Sequence, residues 1–117
     1  MLVKFVAASA ALLVSVTLGF AADPVGHYRI AGANPGGGDP YAGIVIVERT
    51  GETYRVTWSV GGLTYVGTGI GNDKGLAVSY QAGSQTGIAI YLAEGNGWKG
   101  AWTYSGGRTL GAEAWTR

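Results

Sequence analysis

Glycine-punctuated alternation constrains this chain more than any other feature. From residue 26 to residue 117, short runs of alternating apolar and polar residues follow one another, and almost every gap between them holds glycine. Each glycine inside a helix costs about 1 kcal/mol relative to alanine, and no stretch after residue 21 carries a helical period. A period of two is that of a strand with one buried and one wet face. Eight such strands are expected, at residues 26–33, 41–49, 53–60, 63–70, 76–82, 86–93, 98–104 and 109–115. Most gaps are hairpin-sized, such as Gly61-Gly62, a pair suited to the positive φ angles of a type I′ turn. Loops this short force antiparallel neighbours, so the expected fold is all-β, an eight-stranded antiparallel up-and-down meander.

Eight strands suffice to close a small barrel, whose interior is filled by side chains or holds one small ligand. The chain has no cysteine, so the domain must be held by burial and hydrogen bonds, and closure would remove the unpaired edges of an open sheet. The alternation assigns faces. Tyr54, Val56, Trp58 and Val60 share one side of the third strand, Leu76, Val78 and Tyr80 one side of the fifth, and Trp98, Gly100, Trp102 and Tyr104 one side of the seventh. Inward Gly100, with Gly67 and Gly69, either makes space or permits curvature. The second strand is apolar on both faces from Ile44 to Val47, which calls for a covered outer face or a partner. A weak repeat relates Trp58 with Gly61-Gly62 to Trp102 with Gly106-Gly107. The one longer gap, Asn34-Pro35-Gly36-Gly37-Gly38-Asp39-Pro40, is the candidate gate or contact loop, with Asn34 and Asp39 as its polar contacts.

The first residues read differently. Lys4, the apolar run FVAASAALLVSVTL and the small residues Gly19 and Ala21 have the layout of a secretory signal peptide cut after Ala21. The run falls short of the roughly 18 residues that span a bilayer. Residues 1–21 are therefore expected to be a signal peptide and residues 22–117 a single β-barrel domain, secreted or periplasmic, with no membrane span after cleavage. Removing Lys4 leaves equal numbers of basic and acidic side chains. Neutrality without a basic cluster argues against a nucleic-acid partner.

The residue types exclude most chemistries. His27 is the only histidine, so a histidine-rich metal site cannot be built, and no Ser/His/Asp spacing can be argued from it. Gly67-Thr68-Gly69-Ile70-Gly71 is followed by a turn and another strand, not the helix that a dinucleotide loop requires. The carboxylates Asp23, Asp39, Glu48, Glu52, Asp73, Glu94 and Glu113 fall mostly in expected turns or at strand ends, and no pair stands out as a glycosidase's acid and nucleophile. Asn72 with Asp73, and Asn34 with Asp39, lack the ligand count of a calcium site and read as turn formers. No catalytic residue, metal or cofactor is expected, and the chain is not read as an enzyme. What remains is the aromatic set. Both phenylalanines lie in the signal segment, so every ring of the domain belongs to one of four Trp or seven Tyr. Rings with polar edges suit a sugar or heteroaromatic ligand, and Trp58, Tyr80, Trp98 and Trp102 are the candidate ligand-binding residues. The plainer reading, which the residue types favour, is that these rings fill the core.

Gly26-His27-Tyr28, Asn34-Pro35-Gly36, Tyr54-Arg55-Val56-Thr57-Trp58, Tyr65-Val66-Gly67-Thr68-Gly69, Leu76-Ala77-Val78-Ser79-Tyr80 and Trp98-Lys99-Gly100-Ala101-Trp102 resemble a family of short exported bacterial proteins often labelled "fibronectin-binding protein". The resemblance spans nearly all of residues 22–117 and brings no functional residues with it. In architecture the meander is similar to streptavidin-like and lipocalin-like barrels. The functional expectation is an exported, non-catalytic binding module of the cell envelope or extracellular space. The alternatives are an adhesin-like domain with a fibronectin-type partner, contacting it through residues 43–47 and Trp115, and a small secreted enzyme inhibitor.

Overall fold

The computed structural model describes residues 23–117. The expected signal peptide, residues 1–21, lies outside the described residues. Eight strands follow in order: β1 (Gly26–Ala33), β2 (Pro40–Thr50), β3 (Thr53–Val60), β4 (Leu63–Gly71), β5 (Gly75–Ala82), β6 (Gln85–Glu94), β7 (Gly97–Tyr104) and β8 (Gly111–Thr116). Each pairs antiparallel with the next, and β1 pairs with β8, so the meander is a closed barrel with no free edge. The described residues contain no helix.

Up-and-down order gathers the β1–β2, β3–β4, β5–β6 and β7–β8 connections at one end, here called the loop end. The other connections and both ends of the described chain meet at the opposite pole. Gly61 and Gly62 have φ of 58° and 81°, as a type I′ turn requires. The second glycine pair does different work. Only Gly106 has positive φ, and Gly107 N donates to Tyr104 O, so the apparent repeat is not a structural one. The last strand begins at Gly111, two residues later than the alternation indicated. Leu110 has already turned its carbonyl to Gly36 N of the β1–β2 loop, 3.3 Å away. At the opposite pole Asn72 Oδ1 accepts from Lys74 N at 2.8 Å and Gly75 N at 3.2 Å, so Asn72 shapes a turn.

The inward faces are those the alternation assigned. Val45 and Val47 of β2, Tyr54, Val56 and Trp58 of β3, Leu76, Val78 and Tyr80 of β5, and Trp98 of β7 are buried. The doubly apolar stretch of β2 resolves into inward Val45 and Val47, an exposed Ile44 and a half-buried Ile46. Inward glycines lie in register beside inward rings. Tyr41 faces Gly32, Tyr80 stands between Gly67 and Gly87, Tyr91 faces Gly100, and Trp102 faces Gly111. A Cβ at Gly87 would collide with the Tyr80 ring, and one at Gly100 with the Tyr91 ring. These glycines leave room for rings that cross the neighbouring strand.

That complementarity has a measurable cost when broken. Gly87→Ala should destabilise the barrel by about 1–3 kcal/mol through overpacking against Tyr80. Gly75→Ala, where an added Cβ meets nothing nearer than 3.6 Å, should change stability by less than about 0.5 kcal/mol. Chemical denaturation of the two variants makes the comparison, and equal effects would contradict it.

Candidate functional site

The barrel interior is divided along its axis. Toward the pole opposite the loop end it is solid. Tyr28, Tyr91, Trp98 and Trp115 are almost fully buried there, with ring centroids 5.3 Å apart for Tyr28–Trp115 and 4.2 Å for Tyr91–Trp115. Arg117 closes this pole. Its guanidinium lies 4.7 Å above the Tyr28 ring, and its Nη2 donates to Tyr28 Oη and to Asp23 O, each at 2.9 Å. Tyr28 in turn donates to Pro24 O at 2.8 Å.

Toward the loop end the interior is hollow. A cavity of about 330 Å³ is bounded by Tyr41, Trp58, Tyr65, Tyr80, Trp102 and Glu113 within the barrel, and by Asn34, Gly61 and Leu63 at the mouth. Its rings adjoin one another nearly at right angles. Centroid separations are 5.8 Å for Trp58–Tyr80, 6.3 Å for Tyr65–Tyr80, and 6.2 Å for both Tyr80–Trp102 and Tyr41–Trp102. Such edge-to-face contacts suit the ring quadrupoles.

Glu113 lies at the boundary between the solid and hollow halves. It is only 7% exposed, the one acidic side chain so buried among the described residues. Its position on the inward face of β8, between outward Ala112 and Ala114, drives the carboxylate into the barrel. Oε1 accepts from Tyr91 Oη at 2.7 Å, Trp115 Nε1 at 2.8 Å and Trp58 Nε1 at 3.0 Å. Oε2 accepts from Tyr41 Oη at 2.6 Å. All four donors are neutral, and no lysine, arginine or histidine pairs with Glu113 among the described residues. Charge-assisted hydrogen bonds are the strong kind, and they offset the cost of burying this carboxylate.

Its charge reaches the surrounding phenols. Burial pushes the Tyr91 hydroxyl well above the ordinary tyrosine value, and Glu113 adds to the rise. Tyr41 is raised by burial and then by Glu113, against a small opposing effect of the nearby Trp102 indole. Tyr80 is pushed up to about 12, first by burial, then by Tyr65 and Glu113. Trp102 Nε1 itself is buried beside Gly111 and has no acceptor of good geometry.

The four aromatic candidates from the sequence therefore separate. Trp58, Tyr80 and Trp102 line the cavity, whereas Trp98 does not. Trp98 shares their inward face but sits at the start of β7, in the solid half near the Tyr28 hydroxyl. Asn34 borders the mouth. Asp39 contributes its backbone, whose carbonyl accepts from Asn34 N at 3.1 Å and Asn34 Nδ2 at 2.9 Å. With Gly38 N bonded to Asn34 O and Gly36 N to Leu110 O, the β1–β2 loop is laced to itself and to the β7–β8 loop. Of the residues expected to make a protein contact, 43–47 and Trp115, only part reaches the surface. Trp115, Val45 and Val47 all point inward and are buried, leaving Ile44 as the exposed large side chain of that stretch. Sequence reasoning missed Glu113, Tyr41 and Tyr65. The inward position of Glu113 was carried only by its two-residue spacing from Trp115 and Gly111.

No protein-family model matches the chain, and no curated protein is significantly similar to it.

Replacing Glu113 with leucine should cost about 3–5 kcal/mol, because four buried donors lose their acceptor together. Urea denaturation reads this directly, and near-native stability would show that the four bonds contribute nothing. The phenols set an alkaline limit as well. The folded state retains the Tyr80 proton up to about 12, whereas an unfolded tyrosine releases it near 10.0. This stabilisation is complete below pH 10.0 and is lost as pH rises toward about 12. Unfolding free energy measured across that window should fall steadily.

Proposed function

We propose that this protein is an exported, non-catalytic binding module that holds one small molecule inside the barrel at its loop end. One observation carries the reading: the loop-end half of the interior is a cavity of about 330 Å³ walled by Trp58, Tyr80 and Trp102 and floored by Glu113. That volume sits at the small end of the roughly 300–1,000 Å³ typical of ligand pockets. The opposite half is packed solid, so a rigid scaffold supports a preformed site, which lowers the ordering cost of binding. Tryptophan in the wall gives the site its own optical reporter.

Ala89 supplies the test, since it lines the cavity and is nearly fully buried. Ala89→Leu should place its side chain in the ligand's space and weaken binding by more than roughly tenfold, about 1.4 kcal/mol. Its thermal midpoint should stay within a few degrees of the parent. Ligands are found by tryptophan-fluorescence titration of a metabolite library, and unchanged affinity in the variant would contradict binding in the barrel. Export is checked by fractionating expressing cells. Recovery in periplasm or medium supports it, and retention in the cytoplasm opposes it.

A second reading, a protein-contact module, is favoured by the outer face of β6. Ile88, Ile90 and Leu92 are each more than half exposed, and Ile90 continues through Ala77 to exposed Ile70. Contiguous apolar surface of this kind marks interaction sites. Ile90→Lys should then abolish retention on immobilised fibronectin while leaving ligand binding in the cavity intact.

A further inference from the structure

We propose that the ligand of this cavity is an organic cation, a protonated or quaternary amine with small apolar substituents, held between the rings above Glu113. The inference rests on the small-molecule reading above and assigns its chemical class.

Charge is the first argument. Glu113 brings a carboxylate into the barrel, and its partners Tyr41, Trp58, Tyr91 and Trp115 are all neutral. Hydrogen bonds satisfy the oxygens but leave the charge without a counter-charge among the described residues. A buried charge is best accommodated when it is paired as well as hydrogen-bonded. Oε1 is saturated by three donors, whereas Oε2 has one and keeps acceptor capacity. An approaching cation supplies the missing charge, and an anion is repelled.

The walls argue the same way. Trp58, Tyr80, Trp102 and Tyr41 form a continuous run in which adjoining rings are inclined by 65° to 72°. In such pairs the edge of one ring meets the face of the next, and all four rings border the cavity. The face of an aromatic ring is its negative side, and several such faces around one space attract a cation most strongly when water is excluded. Burial first, and Glu113 after it, holds the Tyr41, Tyr80 and Tyr91 hydroxyls above the ordinary tyrosine value, in keeping with a negative charge among them. The cavity lining includes no lysine, arginine or histidine to offset that potential. Small apolar substituents on the nitrogen match ring faces and the Leu63 side chain at the mouth.

The experiment compares a cation with its neutral isostere on the unmodified protein. Choline and 3,3-dimethylbutan-1-ol have nearly the same shape and differ in charge. Titration by calorimetry, with tryptophan fluorescence in parallel, should show choline binding at least roughly tenfold more tightly. Tetramethylammonium should compete with it, and acetate and glucose should not. Glu113→Gln, checked for folding by circular dichroism, should reduce the preference for the cation without abolishing binding of the neutral isostere. Equal binding of the two isosteres, or binding of glucose or acetate alone, overturns the cation assignment and leaves the cavity reading standing. If none of these probes binds and no neutral library compound is sensitive to Ala89→Leu, both readings fall. The isostere comparison needs no variant, so a Glu113→Gln protein that fails to fold does not remove the test.

Discussion

The carboxylate of Glu113 is the interaction on which the interior depends. It stands on β8 and gathers Tyr41 from β2, Trp58 from β3, Tyr91 from β6 and Trp115 from β8 itself. Four of the eight strands are thereby tied together at two oxygen atoms. A buried network of this kind is stable only when every member is satisfied, and here each donor has its acceptor. The network also decides where packing ends. Trp115 continues into the solid pole, Tyr41 and Trp58 form the wall of the cavity, and Tyr91 borders both. One side chain thus separates the part of the barrel that holds the fold from the part available to a ligand.

The second constraint is the pairing of rings with glycines. A cysteine-free domain of this size has little material for a core, and it relies on tyrosine and tryptophan. Such rings do not fit side by side in an eight-stranded barrel unless the neighbouring strand yields space. Gly32, Gly87, Gly100 and Gly111 yield it, each beside the ring that occupies the space. The arrangement uses glycine inside strands, where it would otherwise weaken them. Around the cavity it also keeps Tyr41, Tyr80 and Trp102 close to the wall, so that their bulk lines the interior and leaves the axis open.

The architecture was legible because it depends on local signals. Alternation gave the faces, the short glycine turns gave antiparallel order, and strand ends were displaced by a few residues at most. Gly111 starts β8 late for a nonlocal reason, the Leu110 contact with the β1–β2 loop. The site was less legible for two physical reasons. A period of two reports the face of a residue and not its depth along the barrel, so Trp98 and Trp102 looked equivalent although they lie toward opposite poles. In β8 the usual contrast is also inverted. Outward Ala112 and Ala114 are small and apolar, while the inward residue is a glutamate. A charge on a strand reads as the wet face unless its hydrogen-bond partners are known, and these come from three other positions in the meander.

Glu113 organises the interior through four donors, Tyr41, Trp58, Tyr91 and Trp115. The indole N–H resonances of the four tryptophans, compared by nitrogen–proton NMR between the protein and its Glu113→Gln variant, test it most directly. The signals of Trp58 and Trp115, which donate to Oε1 at 3.0 and 2.8 Å, should move furthest. That of Trp102, which has no such partner, should move least among the rings lining the cavity. Equal small shifts at all four indoles, or the largest shift at Trp102, would contradict the claim.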